Sequence, residues 1–267
     1  MRLIPSRAPA PVVSYGEEAG LFLIKMRAPG ERPPTDVAMV LVTRDEATLQ
    51  VTGGWDAMGM RGTRSVPMQI EASVDSQRLV GHDYRAMAVE TMVPLGYIAW
   101  SAAWYGAARG RLRAWVRHLR GASGRRGPGL NSDLLKHRLA RLRLSLDLVE
   151  ALLDRVVDDC ERLRADVPDA LGRPDREAHM IRMNNLKVAS SEMAHGVVQG
   201  LMDMAGMRLG YLRDGELGLE RVLRDLRSAS LMYHNDPLLA ANGNLMLVEG
   251  TALGPGADAP RREHTGA

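Results

Sequence analysis

The sequence predicts an α+β protein, mostly α: a small antiparallel β unit followed by an antiparallel four-helix bundle. Two observations carry that expectation. Up to about residue 85 apolar residues occur in short runs punctuated by Gly and Pro, and from Tyr84 onward they recur at helical spacing. In the second part Leu135, Leu139, Leu142, Leu146, Val149, Leu153, Val156, Cys160 and Leu163 step 4-3-4-3 through four heptads, a bundle or coiled-coil seam.

In order along the chain, Leu21–Ile24, Val37–Val42, Thr48–Val51 and Val66–Ile70 read as strands. Gly30, Pro33-Pro34, Gly53-Gly54 and Gly59 separate them, and Pro67 falls near a strand start, where a missing N–H is tolerated. Four strands make a thin sheet that needs something over one face. An uncovered face predicts poor solubility for the chain expressed by itself. A first helix covers about 84–120, with a kink at Pro94 and a stop near Gly121. The seam helix starts at Asn131 or Ser132 as N-cap and ends before Pro168. A third covers about 174–209, and its methionines (Met180, Met183, Met193, Met202, Met204, Met207) read as core filler. A fourth runs from Leu217 to Met232, and Pro237 opens a short fifth that reaches Val248. Short connections make the bundle antiparallel. The expected units are therefore 1–85, 86–249 and a disordered Gly, Pro and Ala tail at 250–267.

Composition excludes several classes. No apolar stretch reaches 18 residues, so no transmembrane span is expected, and Met1–Pro5 has no apolar run like that of a secretion signal. The expected location is cytoplasmic. A single cysteine, Cys160, leaves no internal disulfide and no multi-cysteine metal site; on the seam it reads as a small buried hydrophobe. The net charge of +3 is made with 32 Arg and only Lys25, Lys136 and Lys187 as lysines, the mark of a GC-rich genome. Arginines cluster from Arg109 to Arg143 without an accompanying run of base-stacking aromatics, and acids resume at Asp147, Glu150 and Asp154. That pattern is a solvated or interface-facing helix, with no nucleic-acid partner.

Three landmarks stand in order. The first is Gly54–Ser65, reading G-W-D-A-M-G-M-R-G-T-R-S, followed by Val66–Glu71. The second is Gly106 inside the first long helix. The third is Gly210-Tyr211 followed by Leu219–Arg227, L-E-R-V-L-R-D-L-R. Together they resemble the acyl-CoA dehydrogenase superfamily: its G-M-R-G-T-x-S turn in the middle β domain, and its G-Y and R-D-x-R signature at the end of the helical bundle. The resemblance covers roughly residues 12–248 and starts inside the middle domain, so 1–85 corresponds to part of that domain. The family's helical front and its W-x-T/S segment have no counterpart, and the chain looks like a truncated or split dehydrogenase.

The resemblance implies FAD as cofactor and an acyl-CoA or other acyl thioester as substrate, with a carboxylate removing the α proton as hydride leaves for the flavin. Many members place that carboxylate nine positions after the Arg matched by Arg224, and here the position is Tyr233. Others place it ten before the glycine matched by Gly106, and here it is Gly96, with Glu90 six residues upstream. His234 and Tyr233 are the candidate catalytic replacements. His234 also reads as a surface or capping residue, and Asp236 before Pro237 as a helix N-cap. Ser123 stands where the family's R-x-x-F-G loop has its Arg, so Arg125, or its neighbours Arg120 and Arg126, would meet a cofactor phosphate. The family's Q-x-x-G-G becomes Asp203-Met204-Ala205-Gly206-Met207, retaining Gly206, and Asn235 takes the place of a cofactor-bonding Thr. Three readings follow: a flavoprotein subunit that oligomerises with itself or with a chain supplying the N-terminal domain, a catalytically silent oligomerising paralogue, and a same-fold flavin oxygenase.

Overall fold

Strand β5 (Val66–Asp75) is the centre of a three-stranded antiparallel sheet, with β1 (Leu3–Val13) on one side and β4 (Ala47–Val51) on the other. β2 (Leu21–Arg27) and β3 (Val37–Thr43) form a separate antiparallel pair. The computed structural model describes residues 3–27, 37–80, 84–121, 130–166 and 176–247, and it divides the chain into the compact units Met1–Met92 and Val93–Ala267.

All four expected strands are present, in two sheets rather than one, and β1 is a fifth that the pattern hid. It contains Pro5, Pro9 and Pro11, which read as loop; at the edge of a β1-β5-β4 sheet a missing N–H is tolerable. The ladder slips between Ala10 and Val13, on either side of Pro11. Alternation along β5 buries Val66, Met68, Ile70 and Val74 together with Phe22, Ile24, Val40 and Val42 of the second ladder. The β2–β3 pair is thus the cover that the thin sheet required.

The Gly54–Ser65 turn is folded on itself. The Trp55 indole donates to Met60 O at 3.1 Å and the Thr63 hydroxyl to the same carbonyl at 2.8 Å, while Met60 and Arg64 take left-handed φ values of 55° and 44°. Ser65, buried at its end, exchanges hydrogen bonds with Thr63 and Ser14. A four-residue helix α1 (Tyr84–Met87) and a π-turn at Ala88–Met92 close this unit.

The second unit is helical: α2 (Val93–Arg120), α3 (Asp133–Asp166), α4 (Arg176–Gly206), α5 (Leu219–Arg227) and α6 (Asn235–Met246). Pro94 is the second residue of α2, directly after the π-turn, because its missing N–H interrupts the helical ladder there. Ser132 is the N-cap of α3, its hydroxyl accepting from Leu135 N at 3.4 Å. Every residue of the heptad seam is buried or half-buried. α3 and α4 run antiparallel: Leu142, early in α3, faces Gly200 late in α4, and Cys160, late in α3, lies 3.9 Å from His179 early in α4. The fourth helix is shorter than its pattern suggested. It stops at Arg227, where the Ser228 hydroxyl turns back to Asp225 O at 2.7 Å and the chain continues as turns to His234. The expected tail, 250–267, lies outside the described residues.

Candidate functional site

The turns after α5 lead to Tyr233, whose φ of 50° is left-handed, a conformation that costs energy for a residue with a bulky side chain. The residue is 68% exposed, and its ring packs against Trp100 of α2, with centroids 5.7 Å apart. Trp100 in turn stacks on Tyr97 at 6.0 Å and Trp104 at 6.2 Å. The spacing i, i+3, i+7 puts the three α2 rings on one helix face, so Tyr233 caps an aromatic stripe.

Beneath the turn lies Lys187 of α4, with no solvent exposure. Its ammonium donates to Tyr233 O at 2.7 Å and to Asn235 Oδ1 at 2.7 Å. Burial pushes its pKa down to about 8, against the opposing pull of Glu192. Asn235 is itself buried and engaged on both sides: its Nδ2 donates to Glu192 Oε1 at 2.9 Å and to Ser191 Oγ at 3.2 Å. Farther down α2, Ser190 of α4 donates to Ser101 Oγ at 2.8 Å, both fully buried.

A second feature lies toward the other end of α4. α4 closes at Gly206, with φ 68° and ψ −166°, and a π-turn, Met207–Tyr211, follows. Only glycine visits that backbone region freely. Gly210 of the Gly-Tyr pair is buried with no room for a Cβ, which would stand 3.0 Å from Met202 O. On α5, Arg224 of the R-D-x-R segment donates to both carboxylate oxygens of Glu220, at 2.6 and 3.2 Å. Between α3 and α4 a groove of about 300 Å³ is lined by His137, Arg138, Arg141, Leu142, Gly200, Asp203 and Met204. Gln199 Nε2 donates to Asp203 Oδ1 at 2.8 Å, so one oxygen of that carboxylate is already engaged within its own helix. Among the described residues no cluster of His, Cys, Asp and Glu suits a metal ion, and no helix is long and apolar enough to cross a membrane.

A family model of the acyl-CoA dehydrogenase C-terminal domain matches residues 88–233, more than half of the chain. The chain belongs to the acyl-CoA dehydrogenase family. Among solved structures it is similar in fold to dibenzothiophene monooxygenase from Paenibacillus sp. A11-2 (21% identity, 92% of this chain and 65% of that one, TM-score 0.75), which has also been solved with FMN and indole. It is similar as well to an acyl-CoA dehydrogenase from Geobacillus kaustophilus (17% identity, 91% and 61%, TM-score 0.73) and to nitroalkane oxidase solved with spermine (19% identity, 94% and 61%, TM-score 0.73). The chain thus spans 61–65% of the length of these proteins. No curated protein matches by sequence.

Of the residues that the acyl-CoA dehydrogenase resemblance singled out, the structure brings Tyr233, His234 and Asn235 together above Lys187. His234 is exposed at the N-cap position of α6 and makes no side-chain capping bond. α6 already begins at Asn235, so Asp236 lies in the first helical turn and not at the N-cap; an acid there still complements the helix dipole. Gly206 is 19 positions after Lys187, roughly 28 Å along a helix at 1.5 Å per residue, so it belongs to the groove end. Gly96 is half-buried on α2, and Glu90 falls in the π-turn of the first unit. Arg125 lies outside the described residues. Sequence reasoning passed over Lys187 and the His137–Arg141 row. The signal for Lys187 was its company: a lysine between Leu186 and Val188 in a chain that otherwise uses arginine.

Proposed function

We propose that this chain works as a flavin-dependent oxidoreductase of its family, with the diphosphate end of FAD in the α3–α4 groove of one copy and the substrate at the Tyr233–Asn235 turn of another. The observation that carries the reading is the groove, where three basic side chains, His137, Arg138 and Arg141, line one cavity next to the glycine-terminated end of α4. Guanidinium donors suit phosphate oxygens, and the open space at Gly206, where an added Cβ would meet nothing within 4 Å, lets a ligand approach the backbone. The donor set therefore fits the cofactor, with Asp203 as its one opposing charge. Arg125, which precedes α3 in the sequence, would add a further cation.

When bound, the flavin supplies the hydride acceptor. For an acyl-thioester substrate this chain must then take up the α proton, and His234 is the side chain to hold it: exposed, in the turn that carries the family's carboxylate, and with an imidazole nitrogen that can act as acceptor. Tyr233 forms an apolar wall beside it. The acyl pocket and the rest of the flavin site would come from a further copy or from a chain that supplies an N-terminal helical domain.

One observation favours a second reading, a same-fold flavin oxygenase. Neither family position for the α-proton base carries a carboxylate, since Gly96 and Tyr233 stand there, and oxygen chemistry requires no such base. The exposed Tyr233 ring on Trp100 is also a flat apolar surface.

The test is the visible spectrum of the purified chain with FAD and with FMN, alone and with candidate partner chains. Near-stoichiometric yellow protein, weakened in the Arg138→Ala/Arg141→Ala double variant, is expected. Anaerobic bleaching by an acyl-CoA then marks the dehydrogenase, and oxygen uptake with reduced flavin marks the oxygenase. A folded protein that stays colourless in every combination overturns the proposal and leaves the silent paralogue.

A further inference from the structure

We infer that Lys187 is the positioning residue of the Tyr233–Asn235 turn, its ammonium fixing the turn from below so that Tyr233 is held on Trp100 and His234 is left facing solvent. The inference rests on the reading that this turn borders the substrate site. A fully buried ammonium is costly unless its charge and donors are matched. Here both matching acceptors, the Tyr233 carbonyl and the Asn235 side-chain carbonyl, come from one three-residue segment. The bonds are short, 2.7 Å each, as expected for a charged donor.

The segment needs such a tether. Tyr233 holds a left-handed φ of 50°, and a strained residue persists only where its surroundings over-determine it. The ring contact with Trp100 is partly open to solvent, and the Lys187 bond falls on Tyr233's own carbonyl. Asn235 extends the same control into α6, because its amide is clamped between Lys187 on one side and Ser191 and Glu192 on the other. The charged group that bears on Lys187 is Glu192 on its own helix.

The chain is suited to a direct test, since it has only three lysines, and Lys25 and Lys136 are exposed. In full-length protein labelled with 15N at lysine Nζ, one slowly exchanging ammonium signal is expected, and Lys187→Met removes it. In protein labelled with 5-fluorotryptophan, Lys187→Met is expected to shift the resonance that Trp100→Phe assigns to Trp100, while the Trp55 and Trp115 resonances stay in place. A wild-type protein with no protected ammonium signal overturns the inference, and this reading needs no variant to fold. So does a Lys187→Met protein in which Trp100 is unmoved, or in which all four tryptophans move together as general loosening would cause. If Trp100 responds to Lys187→Met but not to added flavin or acyl-CoA, the positioning role holds and the site reading is what fails.

Discussion

Asn184 of α4 and Asn242 of α6 meet in full burial, the Nδ2 of Asn184 donating to the Oδ1 of Asn242 at 2.8 Å. Asn242 passes its own amide on to Asn185 Oδ1 at 2.9 Å. This pair docks a helix that otherwise contributes little apolar surface: apart from Asn235, Asn242 is the one buried residue of α6. Replacing Asn242 with Leu leaves the buried Asn184 amide without this acceptor, and an unmade buried hydrogen bond costs about 1–3 kcal/mol. We expect the urea midpoint to fall by that equivalent, with amide exchange in α6 rising ahead of the rest of the bundle. A variant with unaltered α6 protection would show that the asparagines do not hold the helix.

Gly206, Gly210 and Gly196 separate backbone strain from crowding. Alanine at 206 meets open space but must hold φ 68° and ψ −166°, a region that costs about 1–3 kcal/mol outside glycine. Alanine at 210 meets the Met202 backbone, with the new Cβ 3.0 Å from a carbonyl oxygen. Alanine at 196 lies inside α4 with nothing within 4 Å, and Gly→Ala at such a helical site stabilises by about 0.4–1 kcal/mol. Thermal melts of the three variants should therefore fall, fall and rise. A rise for Gly206→Ala would remove the argument that glycine is required at the end of α4.

The strands and long helices were legible because each rests on a local period. β5 alternates, and the α3 seam steps in heptads whose residues are all buried or half-buried. β1 was not legible, since three prolines suppress strand propensity and only its edge position in the sheet admits them. The truncated α5 was hidden for a similar reason. The apolar spacing continues through Leu231 and Met232, but Ser228 competes for the Asp225 carbonyl and ends the helix. Motif spacing singles out Tyr233, His234 and Asn235 as candidates, and the structure places them on one turn. Lys187 stayed out of view because its partners lie 46 and 48 positions away, and no local pattern encodes a pairing across two helices.

Cys160 tests the reading of a lone cysteine as a structural one. It is 7% exposed on the α3 seam, beside Tyr97, Val156, Met183 and Leu186, and burial pushes its thiol up from its ordinary value. A thiol that is both covered and hard to ionise does not react. Ellman's reagent at pH 8 should therefore release no colour from the folded chain, and one equivalent once urea unfolds it. Stoichiometric reaction in the native state would contradict the placement of Cys160 in the core.

The pH dependence of stability should bear the sign of Lys187. Its folded pKa of about 8 lies below the ordinary 10.5, so between those values the unfolded chain binds the extra proton and stability rises with pH. The penalty for the buried charge is present in full below about pH 8 and is lost as pH climbs through the window. Cys160, Tyr97 and Tyr105 act oppositely, because burial raises each of them, Tyr105 to about 12 with help from its Glu150 hydrogen bond. Their ionisation in the unfolded chain draws stability down above about pH 9. The lysine is isolated by difference: the unfolding free energy of the wild type minus that of Lys187→Met, measured by urea at pH 7, 8, 9 and 9.5, should be flat to pH 8 and then increase. Because the opposing groups are common to both proteins, they cancel. A difference that stays constant across the series would mean that Lys187 is not held charged at a cost in the folded state.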